Sequence, residues 1–501
     1  MKNLLIILLL AISFAGAWEK TWNLVHKECF RDLVQLDDGG FILVGRSGWP
    51  TSARGEIIMM RVDVDGDTIW TRIYGGAEDD YATGIVAIDD TTFAVVGVMQ
   101  SAHPDHYSYL YLSRINLDGD TLWTNVSGTY VSSDTLYFGK AVDIDMDNDI
   151  IVLGGSWPTL AKYTTDGTEI WARVFNEFYC TYSFAEDMKA LSNREPYGYI
   201  TAGIHSILTR HDILGDTIWL KYYGVPEEDH FYAVLEIENP APGFPGGFLA
   251  VGYTKDAYCC TSLYFAVRTD LDGDTVWTRY YSHPVYEWTG LSHGRQIARD
   301  IVWAGNEPYQ TKFAIIGETA FPESLGGKYA AWLVFISDTL RGDTLWTKTY
   351  YDSLLEHLPQ AIFPCNDGGF AIAGYKEDPW PVDEWDLWLL RVDSLGNSTP
   401  SAISESPAQK PEEISIAVHP NPFNSSVSIF APDGAEIEIF DINGRLVEEI
   451  PALRGESAKP SSTDVSGACR WTPDKSLGSG IYLVRAKVGD NDIAKRVVYL
   501  K

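Results

Sequence analysis

Short apolar runs recur along the chain, each closed by a turn residue. Gly40-Phe41-Ile42-Leu43-Val44-Gly45 is one. The same slot recurs at 92–97, 149–154, 198–203, 247–252, 312–317 and 369–374, which makes seven. Runs of about four to eight β-prone residues bounded by glycine or aspartate predict buried strands, not helices. Between them lies a second phrase, a tight Gly-Asp turn and then Thr-x-Trp. It stands at Asp65-Gly66-Asp67-Thr68-Ile69-Trp70 and ends again at Trp123, Trp171, Trp219, Trp277 and Trp346. The successive Trp spacings are 53, 48, 48, 58 and 69. A seventh copy begins at Asp393-Ser394-Leu395-Gly396-Asn397 and stops.

Units of about 50 residues that each divide into four short strands have the size of propeller blades. In the second unit the strands are expected near 82–88, 93–99, 107–115 and 121–126, with Asp89-Asp90 and Asp118-Gly119 as turns. The recurring Trp falls on the outer strand, where a large aromatic face packs one blade on the next. The broken seventh copy lacks that strand. Trp18-Glu19-Lys20-Thr21-Trp22 aligns with Trp70-Thr71-Arg72-Ile73-Tyr74 and supplies it. The expected fold class is therefore all-β, a seven-bladed β-propeller over 18–397 closed by the N-terminal strand. Pairing the first segment with the last removes two open sheet edges.

The phrases Trp70, Tyr74-Gly75-Gly76, Asp79-Asp80-Tyr81-Ala82, Asp38-Gly39-Gly40-Phe41 and Arg61-Val62-Asp63 resemble those of secreted bacterial repeat propellers. The resemblance covers about four-fifths of the chain and implies architecture only, because propellers host many unrelated functions.

The ends read differently. Residues 1–17 carry Lys2, an apolar run at 4–12 and Ala15-Gly16-Ala17, the pattern of a cleavable signal peptide. Residues 398–413 form a Pro/Ser/Glu-rich linker. Residues 414–501 alternate as a small β-sandwich, with strands expected at 415–418, 427–430, 436–440, 446–449, 481–488 and 494–500 and an insertion at 454–468. Pro420-Asn421-Pro422, Asp441 with Asn443-Gly444, and Gly480-Ile481-Tyr482 resemble the C-terminal sorting domain of the type IX (Por) secretion system. That resemblance implies delivery across the outer membrane through the type IX machinery, to the cell surface or the medium. The tail is also similar to Ig-like modules of hook-assembly proteins, which leaves a plain structural module open.

Composition narrows the partners. A net charge of −31 repels nucleic-acid phosphates and anionic lipid, so neither is expected as a ligand. No other stretch is long and apolar enough to predict a transmembrane segment. The six cysteines form no C-x-x-C pair and read mostly as single buried thiols.

Chemistry is sparse. There is no G-x-S-x-G, H-E-x-x-H, P-loop or dinucleotide fingerprint. Asp143, Asp145, Asp147 and Asp149 alternate as hard oxygen ligands for Ca²⁺ would, although Asn148 and Gly154 stand where an EF-hand wants Gly and Glu. The run also falls where the other blades have their first hairpin turn, and it reads first as an acidic turn. Glu78-Asp79-Asp80 and Glu227-Glu228-Asp229 offer paired acids for the channel mouth, or strand caps. The long-loop face of the ring carries Trp49, Trp157, Tyr258, Phe321, Trp380 and Trp385, able to stack on sugars or to pack their own loops. Two functions follow. One is a noncatalytic binding or adhesion module for a glycan or protein ligand. The alternative is an exported hydrolase or lyase acting on glycan or peptide through channel-mouth acids. A quinone-dependent dehydrogenase, whose propeller usually has eight blades, is a weaker third.

Overall fold

The computed structural model describes residues 16–398 and 417–501. Excepted are 25–26, 49–54, 77, 101–108, 128–138, 155–157, 176–184, 192–196, 225–228, 238–245, 256–261, 290–293, 306–311, 322–326, 340, 353, 379–383, 420–424, 431–435, 442–444, 451–467, 475–476, 489–490 and 500. The signal peptide and nearly all of the linker expected from sequence lie outside the described residues, as do Trp49, Trp157, Tyr258, Trp380, Pro420, Asn421, Pro422 and Gly444.

Seven sheets of four antiparallel strands make up the first unit. Six are continuous in sequence and start at Cys29, Asp80, Gly139, Ala185, Asp229 and Gln296. The seventh takes its three inner strands from Glu356–Val392 and its outer strand from Trp18–Trp22. Trp18 pairs with Arg391 and Trp22 with Leu387. The inner strand of each blade contacts that of the next, and that of the seventh contacts that of the first, so the ring is closed. One short helix, Pro284–Thr289, leads into the sixth blade.

The second strand of each blade is buried on both faces between neighbours, as at Phe41–Ser47 and Ile150–Gly154, which is why these read as unbroken apolar runs. The outer strands are mostly exposed or half-buried. Their Trp residues join the blades. Each lies on the glycine of the next blade's Gly-Asp turn, in the order Trp18–Gly66, Trp70–Gly119, Trp123–Gly167, Trp171–Gly215, Trp219–Gly273, Trp277–Gly342 and Trp346–Gly396. A Cβ on any of these glycines would fall 2.6–3.0 Å from the indole, and their φ values run from +72° to +86°. Glycine is required there twice over, for conformation and for room. Trp18, Trp70 and Trp123 also donate Nε1–H to Val64, Leu117 and Thr165 carbonyls at 2.9, 2.9 and 3.0 Å.

The second unit, Ser406–Lys501 by its internal contacts, holds a sheet of three strands and a sheet of four. Val427, Ile429 and Trp471 of the first share one core with Ile439, Tyr482, Val484 and Val497 of the second, forming a β-sandwich. The sequence reading missed one of its strands, Ala468–Trp471. That strand is four residues long and follows a polar stretch, so it has no alternation of its own. Burial of Trp471 and its Nε1–H to Glu448 at 2.8 Å secure it.

Candidate functional site

Every inner strand breaks register near its start, and that of the second blade does so again between Ala87 and Asp89. One extra residue is inserted between Phe30 and Asp32, and likewise in the other six blades. A bulge re-aims the residue it inserts. The seven inserted residues are Arg31, Thr83, Lys140, Glu186, Tyr232, Arg299 and Gln360. All seven line one cavity of about 480 Å³ in the mouth of the central channel, together with Arg46, Tyr81 and Gly139. Antiparallel order places this mouth on the side of the longer connections, opposite the Gly-Asp turns.

Neighbours in this ring engage one another. Arg31 donates to Gln360 Oε1 at 2.8 Å, and Lys140 Nζ lies 2.6 Å from Glu186. Thr83 donates to the Gly139 carbonyl at 3.1 Å. Arg299 lies 4.8 Å over the Tyr232 ring and forks onto Glu318 at 3.1 and 3.3 Å. Arg46 sits over Tyr81 at 5.4 Å and pairs with Asp79. Of the cavity's charged lining residues, four are cations and one, Glu186, is an anion.

Directly after the bulge comes a recurring aspartate. Asp32, Asp187 and Asp300 each accept the N–H of their own next residue and that of the following blade, from Ile85, Val234 and Ile362 at 2.8, 2.9 and 2.8 Å. Each is a staple between blades. Beneath the mouth these three line a narrower cavity of about 160 Å³ with Lys189. Burial pushes the Asp32 carboxyl up to about 6 and that of Asp300 up to about 7, against the lowering effect of their backbone bonds and of Lys189.

The sequence-derived calcium residues divide. Asp145, Asp147 and Asp149 converge, with ligand oxygens within 4.8 Å of one another. Lys162 Nζ sits among them at 2.7, 3.0 and 3.1 Å. Burial opposes its charge, but the hydrogen bonds it donates to the three carboxylates outweigh this and push its pKa upward. An ammonium thus occupies the centre a cation would take. Asp143 is elsewhere: its carboxylate accepts from Ile144 N at 2.9 Å and from Ala190 N of the next blade at 2.9 Å. Asp80 is also structural. Its buried carboxylate accepts Gly76 N at 2.9 Å and Gln100 N at 2.7 Å, fixing the entry to the inner strand. Of the six aromatic ligand candidates two are described: Trp385 stacks on Tyr375 at 4.6 Å, and Phe321 lies edge-on to Tyr351 at 5.2 Å.

Sequence reasoning missed the bulge ring. Its only trace is a variable residue before Asp, Ala or Gly at each inner-strand start, and alternation alone gives no sign of an inserted residue.

A second cluster lies where the ring closes. Glu19, on the N-terminal strand, meets Lys376 at 2.7 Å, His357 at 3.7 Å and the Trp388 Nε1–H at 2.8 Å. Burial alone would raise the Glu19 carboxyl. Its pairing with His357, Lys376 and Trp388 prevails and holds it at about 2.

In the second unit, Asp441 accepts Arg445 N at 3.0 Å, and Tyr482 donates to the Gly478 carbonyl at 2.8 Å. Tyr482 lies edge-on to Trp471 at 5.4 Å, so this residue of the motif is a core residue. A Cβ at Gly480 would meet open space.

Residues 417–500 match the family model described as a secretion system C-terminal sorting domain. Such a domain implies export by the type IX system and contact with its machinery. No curated protein matches the chain. Among solved structures, the chain is similar to a fungal alcohol oxidase of the AA5 family in complex with copper. That pair shows 12% identity and a TM-score of 0.45, over 96% of this chain and 99% of the other. It is also similar to the Neurospora crassa Pan2 WD40 domain, at 8% identity and a TM-score of 0.44, over 72% and 89%. A third is the C-terminal WD40 domain of Sif2, at 9% identity and a TM-score of 0.40, over 75% and 99%. Among the described residues no helix is long and apolar enough to cross a membrane.

Proposed function

We propose that this chain is an exported, noncatalytic binding module whose propeller captures its ligand at the channel mouth, and that its C-terminal unit is the export address. One observation carries the reading. The glycines and tryptophans of the frame repeat around the ring, while the bulge residue in the mouth takes six identities over the seven blades, with only arginine recurring, at Arg31 and Arg299. A position freed from framework duty and aimed into one cavity suits recognition.

The hydrolase or lyase reading gains less support. The lining acid of the upper cavity, Glu186, is paired with Lys140, and Asp80 holds backbone amides. Neither is arranged with a second free carboxylate across a bond. Calcium, where it acts, would have to displace Lys162 from its three carboxylates.

The test is a binding screen of the mature chain on a glycan array and against surface-protein extracts, repeated with Thr83→Trp to fill the mouth. Binding lost in that variant supports the reading. Binding that survives it, or turnover of a glycan or peptide, would overturn it. For the address, a chain lacking 414–501 is expected to fold but to stay in the periplasm of a host with the type IX system.

A further inference from the structure

We infer that the channel mouth recognises an oxyanion carried on a saccharide, a uronate carboxylate or a sulfate ester, with Arg31 as the anchoring guanidinium. This rests on the mouth being the binding surface and adds the ligand's chemistry.

Charge is the first argument. The chain carries 69 acidic and 38 basic side chains, yet the charged lining residues of this cavity are Arg31, Arg46, Lys140, Arg299 and Glu186. At physiological salt, charges beyond about 8 Å are largely screened. An anion entering the mouth therefore feels the local cations more than the distant acidic surface.

Arg31, Lys140 and Arg299 also reach the lower cavity, but Asp32, Asp187 and Asp300 there each accept two backbone N–H groups and have Lys189 among them. The cations are not equally committed in the mouth. Lys140 is paired with Glu186, Arg299 with Glu318 and Arg46 with Asp79. Arg31 is exposed, and its hydrogen bond is to the neutral amide of Gln360. Among the described residues it has no carboxylate partner. A guanidinium carries five donors in a planar fork that matches a carboxylate or sulfate edge. Arg31 has that edge to offer.

The rest of the lining suits a hydroxyl-rich body. Thr83, Gln360 and the phenols of Tyr81 and Tyr232 supply donors and acceptors. The two tyrosines add ring surface of the kind sugars pack on. The lining has few aliphatic side chains, which disfavours an apolar small molecule.

The experiment is calorimetric titration of the mature chain with trigalacturonate, its methyl ester, maltotriose and a κ-carrageenan tetrasaccharide. Trigalacturonate or the carrageenan is expected to bind, and which of them binds tells carboxylate from sulfate. Affinity should fall with added salt, fall about tenfold or more in Arg31→Gln, and stay unchanged in Lys221→Gln, whose ammonium pairs at 2.6 Å with Asp274 of a Gly-Asp turn on the opposite face. Loss of a bound anion's affinity in both variants, or in neither, overturns the assignment to Arg31. Equal binding of the methyl ester, or binding of maltotriose alone, overturns the anion while leaving the mouth as the binding surface if Thr83→Trp abolishes it. No binding of either anionic sugar at millimolar concentration also overturns the inference.

Discussion

The seam of the ring is the place to perturb first. Glu19 comes from the N-terminal strand, whereas Lys376, His357 and Trp388 come from the three strands at the other end of the propeller. Corresponding positions after the other outer-strand tryptophans hold Thr71, Thr124, Ala172, Leu220, Thr278 and Thr347, none of which is charged. The seam thus has an ionic latch that the covalently continuous blades lack. A fall in the Glu19 pKa from an ordinary 4.5 to about 2 corresponds to about 3 kcal/mol of preferential stabilisation of the charged form. Since the folded pKa is depressed, that stabilisation is present above pH 4.5. It is lost as pH falls from about 4.5 toward about 2. Glu19→Gln keeps the shape and an acceptor for Trp388 but removes the charge. We predict a loss of about 2–3 kcal/mol at pH 7, since breaking one side of a buried pair strands the other. In a ring of this length that is a fall of about 3–6 °C in Tm, because the shift per kcal/mol shrinks as the chain grows. The variant's acid limb below pH 4.5 should also be shallower. Hydrogen exchange should rise first at residues 18–22. Adding Lys376→Met to Glu19→Gln should cost less than the two changes summed. A Glu19→Gln chain with wild-type Tm and a wild-type acid limb would refute the latch.

Further predictions follow from other parts of the frame. Gly273→Ala puts a Cβ 2.9 Å from the Trp219 ring and should cost several kcal/mol, whereas Gly368→Ala, with similar φ but only Ser394 at 3.9 Å, should cost about 1–2, read as the difference in urea midpoints. Lys162→Met leaves Asp145, Asp147 and Asp149 facing one another; it should lower Tm without calcium and make Tm rise with added calcium, while the wild type stays indifferent. Asp300 and Asp32 have raised folded pKa values, so their contribution is greatest below about pH 4 and declines as pH rises through about 6–7; Asp300→Asn should flatten that decline in Tm between pH 5 and 8.

How much of this was legible beforehand depends on what each signal physically is. Seven blades and the strand that closes them follow from a repeated Gly-Asp-Thr-x-Trp phrase whose last copy stops at Asn397 while an orphan Trp18 waits at the start. The phrase is readable because both its glycine and its tryptophan are demanded by one contact. The Asp145–Asp149 run was readable as a cation cage, but not what sits in the cage: Lys162 lies thirteen residues beyond Asp149, on the neighbouring strand, and only pairing brings it in. The mouth was illegible for a different reason. Its residues share a place and not a chemistry, and that place is created by an inserted residue that no periodicity announces. Glu19 and His357 lie more than three hundred residues apart, and their meeting depends on the ring having already closed.

That closure has a temporal side. The propeller's earliest strand in the chain, Trp18–Trp22, finds its berth only on Trp385–Val392, the last strand of the propeller to be synthesised. Until then the first blade's Gly66 has no indole to cover it, and six sheets stand as an open arc. Contacts this remote in the chain form late and slowly. Completion of the circle therefore works as a full-length check: a product cut short anywhere before Val392 cannot seat its own beginning, and both exposed rims remain as marks of an unfinished molecule.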